Sequence, residues 1–418
     1  MIRKYYIFID DFYPMKKKFL IPSLSFFFIV VIIRYLSFLH YFAKNCNGWV
    51  IGDWLVNFQA GFVRRGLSGY LIIGLSDFLK LEPNFTTMWI QLLIYVAYMF
   101  ILFFLIYRKE METWFLILLL SPITLLFPIL NFNIGIIGRK EIILFFLFAL
   151  YILCLNRKLL KSPIVIFLFS VAFLLATLFH ELVFFYTPYF ILAAYLRSKI
   201  DHEPFDFSKI LYMILGSFLI MIAIYLFGKT INGSIICAGL MEKGLSSNIC
   251  KGILSFPKDY GIKDVLRVAK ENRYFPIYGA YFLLGLVPII LFVRYSKSCI
   301  VSIKKFLVAF LFLFLFSIPL FVLGVDWGRW INIHFMLLLF TSTLLLKDIS
   351  SGSKVIWLKE NFAIPTLWKS ETNISKISNG IAFFLICFLC ITIFVYAILW
   401  WYKFSIFFTI LFILKIPY

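Results

Sequence analysis

Long apolar runs, separated by short polar connections, occupy most of the chain. About 20 consecutive apolar residues cross the hydrocarbon core of a bilayer as an α-helix. The pattern predicts membrane-spanning helices at 19–43, 86–107, 112–130, 142–156, 163–180, 182–196, 209–228, 275–293, 306–325, 331–346 and 380–401, and the run 404–418 would add one more. The sequence therefore predicts an all-α integral membrane protein, a single polytopic domain of about 11–12 transmembrane helices.

Two segments depart from this pattern. Residues 67–82 are apolar but shorter than a span, and they contain glycines and Asp77. Short or irregular backbone at membrane depth occurs where protein or a water-filled cavity covers it, so we expect a re-entrant or interfacial helix there. Residues 229–274 are too polar to cross a membrane and are predicted to form a long loop between two spans.

The distribution of basic residues predicts the orientation. Cytoplasmic connections of membrane proteins carry an excess of Lys and Arg. The amino-terminal residues 1–18 and the loop 347–379 are rich in them, so both are predicted to be cytoplasmic. The segment 44–82 and the loop 229–274 then lie on the outer side of the membrane.

Composition supports the membrane assignment and removes other classes of protein. Of 418 residues, 63% are hydrophobic and 14% are charged, and the mean hydropathy is +0.98. No soluble domain buries that much apolar surface. The net charge of +20 lies mainly between spans, where it sets orientation and contacts anionic lipid, so we expect no nucleic-acid partner. Outside the cytoplasm, a disulfide between Cys237 and Cys250 is permitted.

Charged residues converge on the outer face of this arrangement. The first outer segment, 48–69, combines a carboxylate, two adjacent arginines, two amides, two tryptophans and several glycines. Apart from the long loop 229–274, the other outer connections are short, but they carry charged residues at the ends of predicted spans. The charged candidates are Asp53, Arg64, Arg65, Arg139, Lys140, Glu141, His180, Glu181, Asp326 and Arg329. Charged groups near a membrane tend to face a bundle interior or a cavity, so we expect one shared outward-facing cavity.

These residue types suit a phosphate-bearing saccharide substrate. Fixed guanidinium and ammonium groups bind phosphate or diphosphate, and the candidates for this role are Arg64, Arg65, Arg139, Lys140 and Arg329. A histidine or carboxylate can take a proton from an attacking hydroxyl, and the candidates are Asp53, His180, Glu181 and Asp326. Aromatic rings stack on sugar faces, and the candidates are Trp54, Tyr186, Trp327 and Trp330. Together they indicate transfer of a saccharide from a lipid-linked phosphate donor.

Structural interpretations of the same motifs stay open. Adjacent arginines at a membrane edge also anchor lipid phosphates, and Asp326 is close enough in sequence to pair with Arg329 on one helix turn. Glu141 can complement the dipole of the helix that it begins. His180 and Glu181 lie between strongly apolar segments, which favours a functional role. No second histidine follows at zinc-motif spacing and no nucleotide-binding loop is present, so we predict no metal and no cofactor.

In length, number of spans, arginine-lined outer face and one long outer loop, the chain resembles the Wzy-type O-antigen and capsular polysaccharide polymerases. The resemblance implies a glycosyltransferase of the bacterial inner membrane with a cytoplasmic amino terminus. It would join undecaprenyl-diphosphate-linked oligosaccharide units on the outer face without a metal, beside other assembly proteins such as a chain-length regulator. By the same resemblance, Arg64, Arg65, Arg139 and Arg329 hold the diphosphate, and His180 or Glu181 activates the acceptor hydroxyl.

Two other classes remain open. GT-C type glycosyltransferases, which use a polyprenyl-phosphate sugar, place a carboxylate in the first outer loop, and Asp53 lies there, although without a second acid beside it. A lipid-linked saccharide carrier or flippase would have basic residues along its spans. Arg34 is clearly in the middle of a predicted span, and most other basic residues lie at span ends. The distribution favours a site at one face over a path through the bundle.

Overall fold

A computed structural model describes residues 17–107, 109–125, 137–228, 232–255, 261–296, 299 and 301–348, and these contain α-helices and no strand. In chain order the helices are α1 Lys17–Lys44, α2 Gly66–Leu79, α3 Pro83–Tyr107, α4 Thr113–Leu119, α5 Glu141–Asn156, α6 Pro163–Phe179, α7 Leu182–Phe185, α8 Thr187–Ile200, α9 Phe207–Phe227, α10 Gly233–Glu242, α11 Ile262–Glu271, α12 Tyr274–Tyr295, α13 Ile303–Leu323 and α14 Trp327–Leu345. The predicted all-α, multi-pass membrane architecture is confirmed.

Helices of two kinds build the bundle. Within the described residues, five helices are long and apolar enough to cross a membrane by themselves, namely α1, α3, α9, α12 and α13. The helix α14 is different, because it carries Arg329, Asn332 and His334 yet is buried along nearly its whole length. Its polar side chains find partners inside the bundle. The amide of Asn332 donates to the Ile123 carbonyl at 2.6 Å. The surrounding helices therefore shield α14 from lipid.

Contacts between helix ends define two faces of the bundle. At one face, the Asn84 amide at the start of α3 donates to the Ala43 carbonyl near the end of α1, at 3.2 Å. At the other, the Lys109 ammonium beyond α3 donates to the Leu346 carbonyl beyond α14, at 3.1 Å. We call the first the site face and the second the far face.

The helix α2 lies along the site face and does not cross the bundle. Arg65, which precedes α2, contacts Glu181 in the connection after α6. Asp77, near the end of α2, pairs with Lys243 just after α10, at 2.6 Å. Both ends of this 14-residue helix, about 21 Å long, are thus on one face. This is the interfacial form of the helix predicted at 67–82.

The two sides of α2 explain how it fits there. Its protein-facing side consists mainly of small residues, and a Cβ added at Gly69 would lie 2.2 Å from the Val56 carbonyl oxygen. Its other side exposes Tyr70, Leu75 and Phe78. A helix with small residues inward and large apolar residues outward suits contact with lipid on one side and protein on the other.

Two predicted boundaries need correction. The span predicted at 112–130 begins as α4, which has seven residues and measures about 10 Å, and a turn over 121–125 follows because the Thr124 hydroxyl donates to preceding carbonyls. The loop predicted at 229–274 contains two helices, α10 and α11. The predictions for residues 1–16, 126–136, 349–379, 380–401 and 404–418 fall outside the described residues.

The segment that follows α9 packs over the first connection on the site face. Cys237 in α10 forms a disulfide with Cys250, with 5.5 Å between their Cα atoms. Beyond it the backbone contacts the first connection so closely that a Cβ at Gly48 would overlap the Lys251 carbonyl. The glycine at position 48 therefore permits this packing, and the disulfide fixes the segment that covers the site face.

We expect the disulfide to stabilise this covering segment more than the bundle. A disulfide of this separation contributes about 2–4 kcal/mol, so in Cys237→Ser, limited proteolysis should cut within 232–255 several-fold faster while the bundle fragments stay intact. The control is Cys154→Ser, which changes a free, buried cysteine. Equal cleavage rates in the two variants would contradict the prediction.

Candidate functional site

Arg65 is the centre of a network of charged side chains on the site face. Its Nε and Nη2 atoms donate to the Glu181 carboxylate at 3.0 and 2.6 Å. Its Nη1 atom lies 3.4 Å from Asp53 Oδ1, and its carbonyl accepts from Lys140 Nζ at 3.4 Å. One arginine thus joins the first connection, the start of α5 and the connection after α6.

The backbone of Arg65 adopts an unusual conformation. It has φ +65°, in the left-handed region, at the residue that precedes α2. Cys46, Lys80, Lys158 and His202 also have positive φ and follow helix ends, where this conformation is common, and Arg273 lies between the end of α11 and the start of α12. A left-handed residue before a helix is strained unless its surroundings fix it. The contacts of the Arg65 guanidinium and carbonyl supply that constraint.

Asp53 is fully buried and surrounded by cations. Besides Arg65, its carboxylate faces Arg139, with 3.7 Å between Oδ2 and Nε. Burial would raise the pKa of this carboxyl, but Lys140, Arg139 and Arg65 outweigh it and hold the pKa well below its ordinary range. A carboxylate held in this way is a poor proton acceptor. The contacts of Asp53 hold Arg65 and Arg139 beside each other.

His180 and Glu181 occupy the connection between α6 and α7. The Nδ1 atom of His180 lies 3.5 Å from Glu181 Oε2 and 3.3 Å from the Leu182 amide nitrogen. Burial, and then the charge of Arg65, lower the pKa of His180 from its ordinary value of 6.5. His180 is therefore neutral at pH 7 and can accept a proton. Glu181 is engaged by Arg65 through both oxygens and holds its charge.

A second group of charges lies beside the first. Arg329 Nη1 is 3.0 Å from Glu141 Oε1, and Arg329 also donates to Asp326. Arg139, Glu141 and Arg329 line a common cavity of about 20 Å³, which has room for about one water molecule. This cavity is too small for a phosphate group. An anion of phosphate size could meet these arginines only from the exposed side of the network.

We define the ion cluster as these charged residues together, namely Asp53, Arg64, Arg65, Arg139, Lys140, Glu141, His180, Glu181, Asp326 and Arg329. With His180 neutral, five basic groups face four carboxylates, so the cluster has a net charge of +1. Among the basic groups, Arg64 is the most exposed, with 51% of its side chain accessible and a loose contact of 3.8 Å to Glu181. Among the carboxylates, Asp326 is the most exposed, at 42%.

The structure brings all the charged candidates together but separates the aromatic ones. Trp54 is buried, and its indole N–H donates to the Gly138 carbonyl at 2.6 Å. Tyr186 is also buried, and its hydroxyl donates to the Trp330 carbonyl at 3.1 Å. Both side chains donate hydrogen bonds to backbone carbonyls. Because their rings are buried, they cannot stack on a sugar. The Trp330 ring is likewise buried, against Phe321.

Two aromatic residues are better placed for a sugar. Trp327 is partly exposed beside Asp326, and its indole N–H donates to the Gly324 carbonyl. Trp49 is 40% exposed, and the Arg139 guanidinium lies 5.7 Å from the centre of its ring. The sequence reasoning omitted Trp49. Its position in the same glycine-rich segment as Asp53 was the available signal.

The sequence reasoning also missed a polar contact inside the bundle. His334 Nδ1 and Nε2 lie 2.7 Å from the Tyr189 hydroxyl and 2.8 Å from the Ser317 hydroxyl. Both ring nitrogens are therefore hydrogen-bonded, which is the arrangement of a neutral histidine that links helices. Its place five residues beyond Arg329 was visible in the sequence, but its partners were not.

The carboxylates of the cluster do not form a metal site. Asp53, Glu141, Glu181 and Asp326 each lie within 4 Å of an arginine. Among the described residues, no group of three His, Cys, Asp or Glu side chains has an arrangement that could hold a metal ion. This donor set suits an anionic ligand better than a divalent cation.

The protonation states predict a bell-shaped pH dependence for a reaction in which His180 accepts a proton. Activity should fall below pH 6.5, because His180 becomes protonated in the range of its lowered pKa. It should also fall above about pH 8, because burial lowers the pKa of Lys140 to about 8 and the neutral amine no longer holds Asp53. A kcat/KM profile of the free enzyme measures both limbs. A profile that stays flat from pH 5 to 9 would contradict this assignment.

Comparisons of the chain with protein-family profiles, with curated proteins and with solved structures found no match.

Proposed function

We propose that the protein is a polysaccharide polymerase, which transfers saccharide from an undecaprenyl-diphosphate-linked donor to a second lipid-linked oligosaccharide on the outer face of the bacterial inner membrane. The observation that carries the proposal is the ion cluster, in which basic groups from several distant segments meet at one end of a membrane bundle with an excess positive charge. A diphosphate ester is an anion that such a cluster attracts.

The donor would bind through arginine. Arg64 is exposed enough to meet a diphosphate without rearrangement of the bundle. Behind it, the Nε atoms of Arg139 and Arg329 are buried without a hydrogen-bond acceptor among the described residues. Buried donors of this kind are costly unless a ligand or water satisfies them. Arginine can engage a phosphate through two parallel hydrogen bonds, which would stabilise the charge on the departing lipid diphosphate.

The acceptor would be activated by His180. In the proposed step, the acceptor hydroxyl oxygen forms a bond to the anomeric carbon of the donor sugar while the bond from that carbon to the phosphate oxygen breaks. The hydroxyl proton passes to His180, and the electron pair leaves with the lipid diphosphate. For Nε2 to take this proton, the neutral ring would carry its hydrogen on Nδ1 and donate it to Glu181, and Arg65 would orient Glu181. Trp49 and Trp327 would stack on the sugars.

The proposed orientation places the site face outside the cytoplasm. We expect Arg64→Cys to react with a membrane-impermeant thiol reagent in intact spheroplasts, and Lys199→Cys, at the far face, to react only after lysis. The background chain keeps Cys237 and Cys250, which form the disulfide, and replaces the five other cysteines with serine. The opposite labelling pattern would show that the site face is cytoplasmic, and it would contradict the proposed reaction.

The proposal is tested by the surface polysaccharide of a strain that lacks the gene. Loss of the long ladder on a gel, with a single repeat unit still attached, is the result expected of a polymerase. Re-expression of the natural chain should restore the ladder, and His180→Ala should fail to restore it although it reaches the membrane in normal amount.

Other profiles would replace the proposal with one of the two remaining classes. A normal ladder that lacks one sugar would indicate a GT-C type transferase. Loss of all surface polymer, with lipid-linked units retained inside the cell, would indicate a carrier or flippase. A full ladder from His180→Ala would remove this residue from the reaction.

A further inference from the structure

A pocket on the far face joins the ends of three helices. It lies where α3, α8 and α14 finish, at the opposite end of the bundle from the ion cluster, and its volume is about 330 Å³. Four apolar side chains form part of its wall, and its polar lining consists of Lys109, Arg197, Lys199, His202, Lys347 and Asp348. A concave site of this size, partly apolar with converging polar groups, suits a small ligand.

The charge of the pocket is strongly unbalanced. The charge of Lys109 is met by Asp348 at 3.2 Å, and that of Arg197 by Asp201 at 2.6 Å. Lys199 and Lys347 have no carboxylate within 4 Å among the described residues. Two lysine charges therefore remain after the internal pairs are formed, and both line the same pocket.

Basic residues at the ends of membrane helices need no ligand to explain them, because orientation alone favours them. The orientation rule does not explain why the Lys109 side chain is buried. Its side chain is only 5% exposed and donates to the Leu346 carbonyl. Lysine is rarely buried to this degree, since removing its charge from water is costly. A built, concave site with a buried cation differs from a scatter of surface lysines.

We propose that this pocket binds a phosphate-bearing ligand. Two ammonium groups at the lining of one pocket suit a phosphate, and the apolar wall formed by Ile200, Leu344, Leu345 and Leu346 suits the glycerol and first methylenes of a lipid. The pocket is at the level of the helix ends, where lipid headgroups lie. The same chemistry also fits soluble phosphate or diphosphate. The ligand would brace the carboxyl end of α14, whose other end carries Arg329 of the ion cluster.

The experiment uses the purified full chain in nanodiscs. One set of nanodiscs contains only zwitterionic phosphatidylcholine. In a second set, the mole fraction of phosphatidylglycerol is increased in steps. A third keeps the zwitterionic lipid and adds inorganic phosphate or diphosphate to the buffer. Thermal unfolding and native mass spectrometry of the retained lipid are measured for the natural chain and for Lys199→Gln/Lys347→Gln. The control is Lys304→Gln/Lys305→Gln, which removes the same charge from exposed positions at the start of α13 on the same face.

We expect the natural chain and the control to be stabilised by the phosphate-bearing probe and to bind it about equally. The pocket variant should bind about 25-fold more weakly, because each lysine near an anionic headgroup contributes about fivefold. Stabilisation and binding by phosphatidylglycerol would identify the ligand as a lipid headgroup. Stabilisation by inorganic phosphate or diphosphate would identify it as a soluble anion. Equal loss of binding in the pocket variant and the control, or no response to any probe, would overturn the proposal.

Discussion

Replacing Arg65 with alanine should destabilise the protein by about 3–5 kcal/mol and abolish polymer formation. The reason is the pair of buried carboxylates that the guanidinium joins. Without it, Glu181 and Asp53 lose their closest cation, and an uncompensated charge in the protein interior carries a penalty of this size. Thermal unfolding of the purified variant in detergent measures the loss, and the polysaccharide gel measures the activity.

Two further variants separate this explanation from general damage. Arg157→Ala removes an exposed arginine on the far face that contacts the Phe104 ring, and it should unfold like the natural chain. Combining Arg65→Ala with Glu181→Gln removes one of the stranded charges. Its loss of stability should therefore be smaller than the sum of the two single losses. Additive losses, or an Arg65→Ala chain as stable as the natural one, would show that the network does not hold the site together.

Replacing Arg64 with alanine should leave the melting temperature unchanged and reduce polymerisation about 100- to 1,000-fold. Half of this side chain is exposed, and its contact with Glu181 is long, so the pair contributes little to stability. A lost charge contact to a developing anion typically reduces the rate by this factor. The rate is measured as chain-length distribution over time with lipid-linked repeat units and membranes that contain the variant.

The conservative variant Arg64→Lys provides the matched comparison. Lysine keeps the charge but cannot form two parallel hydrogen bonds with a phosphate, so we expect activity between those of the natural chain and Arg64→Ala. Full activity in Arg64→Ala would place the diphosphate elsewhere. A large drop in melting temperature would show that Arg64 belongs to the framework, as Arg65 does.

These two predictions assign different roles to adjacent arginines. The sequence shows them as an identical pair, whereas the structure buries one and exposes the other. The left-handed backbone of Arg65 accounts for the difference, because it turns the chain into α2 with the Arg65 guanidinium inside and Arg64 at the surface. Reduced polymerisation at an unchanged melting temperature for Arg64→Ala, together with a lowered melting temperature for Arg65→Ala, would support this division.

Hydrophobic patterning predicted most of the fold. The long apolar runs predicted α3, α9, α12 and α13 to within a few residues, because a membrane helix must satisfy its backbone internally over a fixed thickness. The failure at 112–130 has a specific cause. The apolar run there continues past α4, and hydropathy alone carries no information about the turn that Thr124 forms.

The candidate site was predicted in part. Charge at span ends correctly indicated which residues would meet, because orientation rules place alternate connections on the same face. Their pairings were not predictable, since Arg65 and Glu181 are far apart in the sequence and the contact depends on how α2 lies against α6. The aromatic candidates failed for the same reason. Whether Trp54 or Trp49 reaches the surface depends on the packing of one short connection.

The sequence by itself determined the class of protein, an all-α membrane bundle with charged residues gathered at one face. Its apolar composition and the spacing of its basic residues suffice for that, because both act locally through the thickness of the bilayer. Only the tertiary structure decided which charged side chains form ion pairs with each other. Arg65 pairs with both Asp53 and Glu181 inside the protein, and Arg64 stays exposed. The cost of burying an unpaired charge makes these pairings a property of the folded packing, where distances of a few ångströms decide each role.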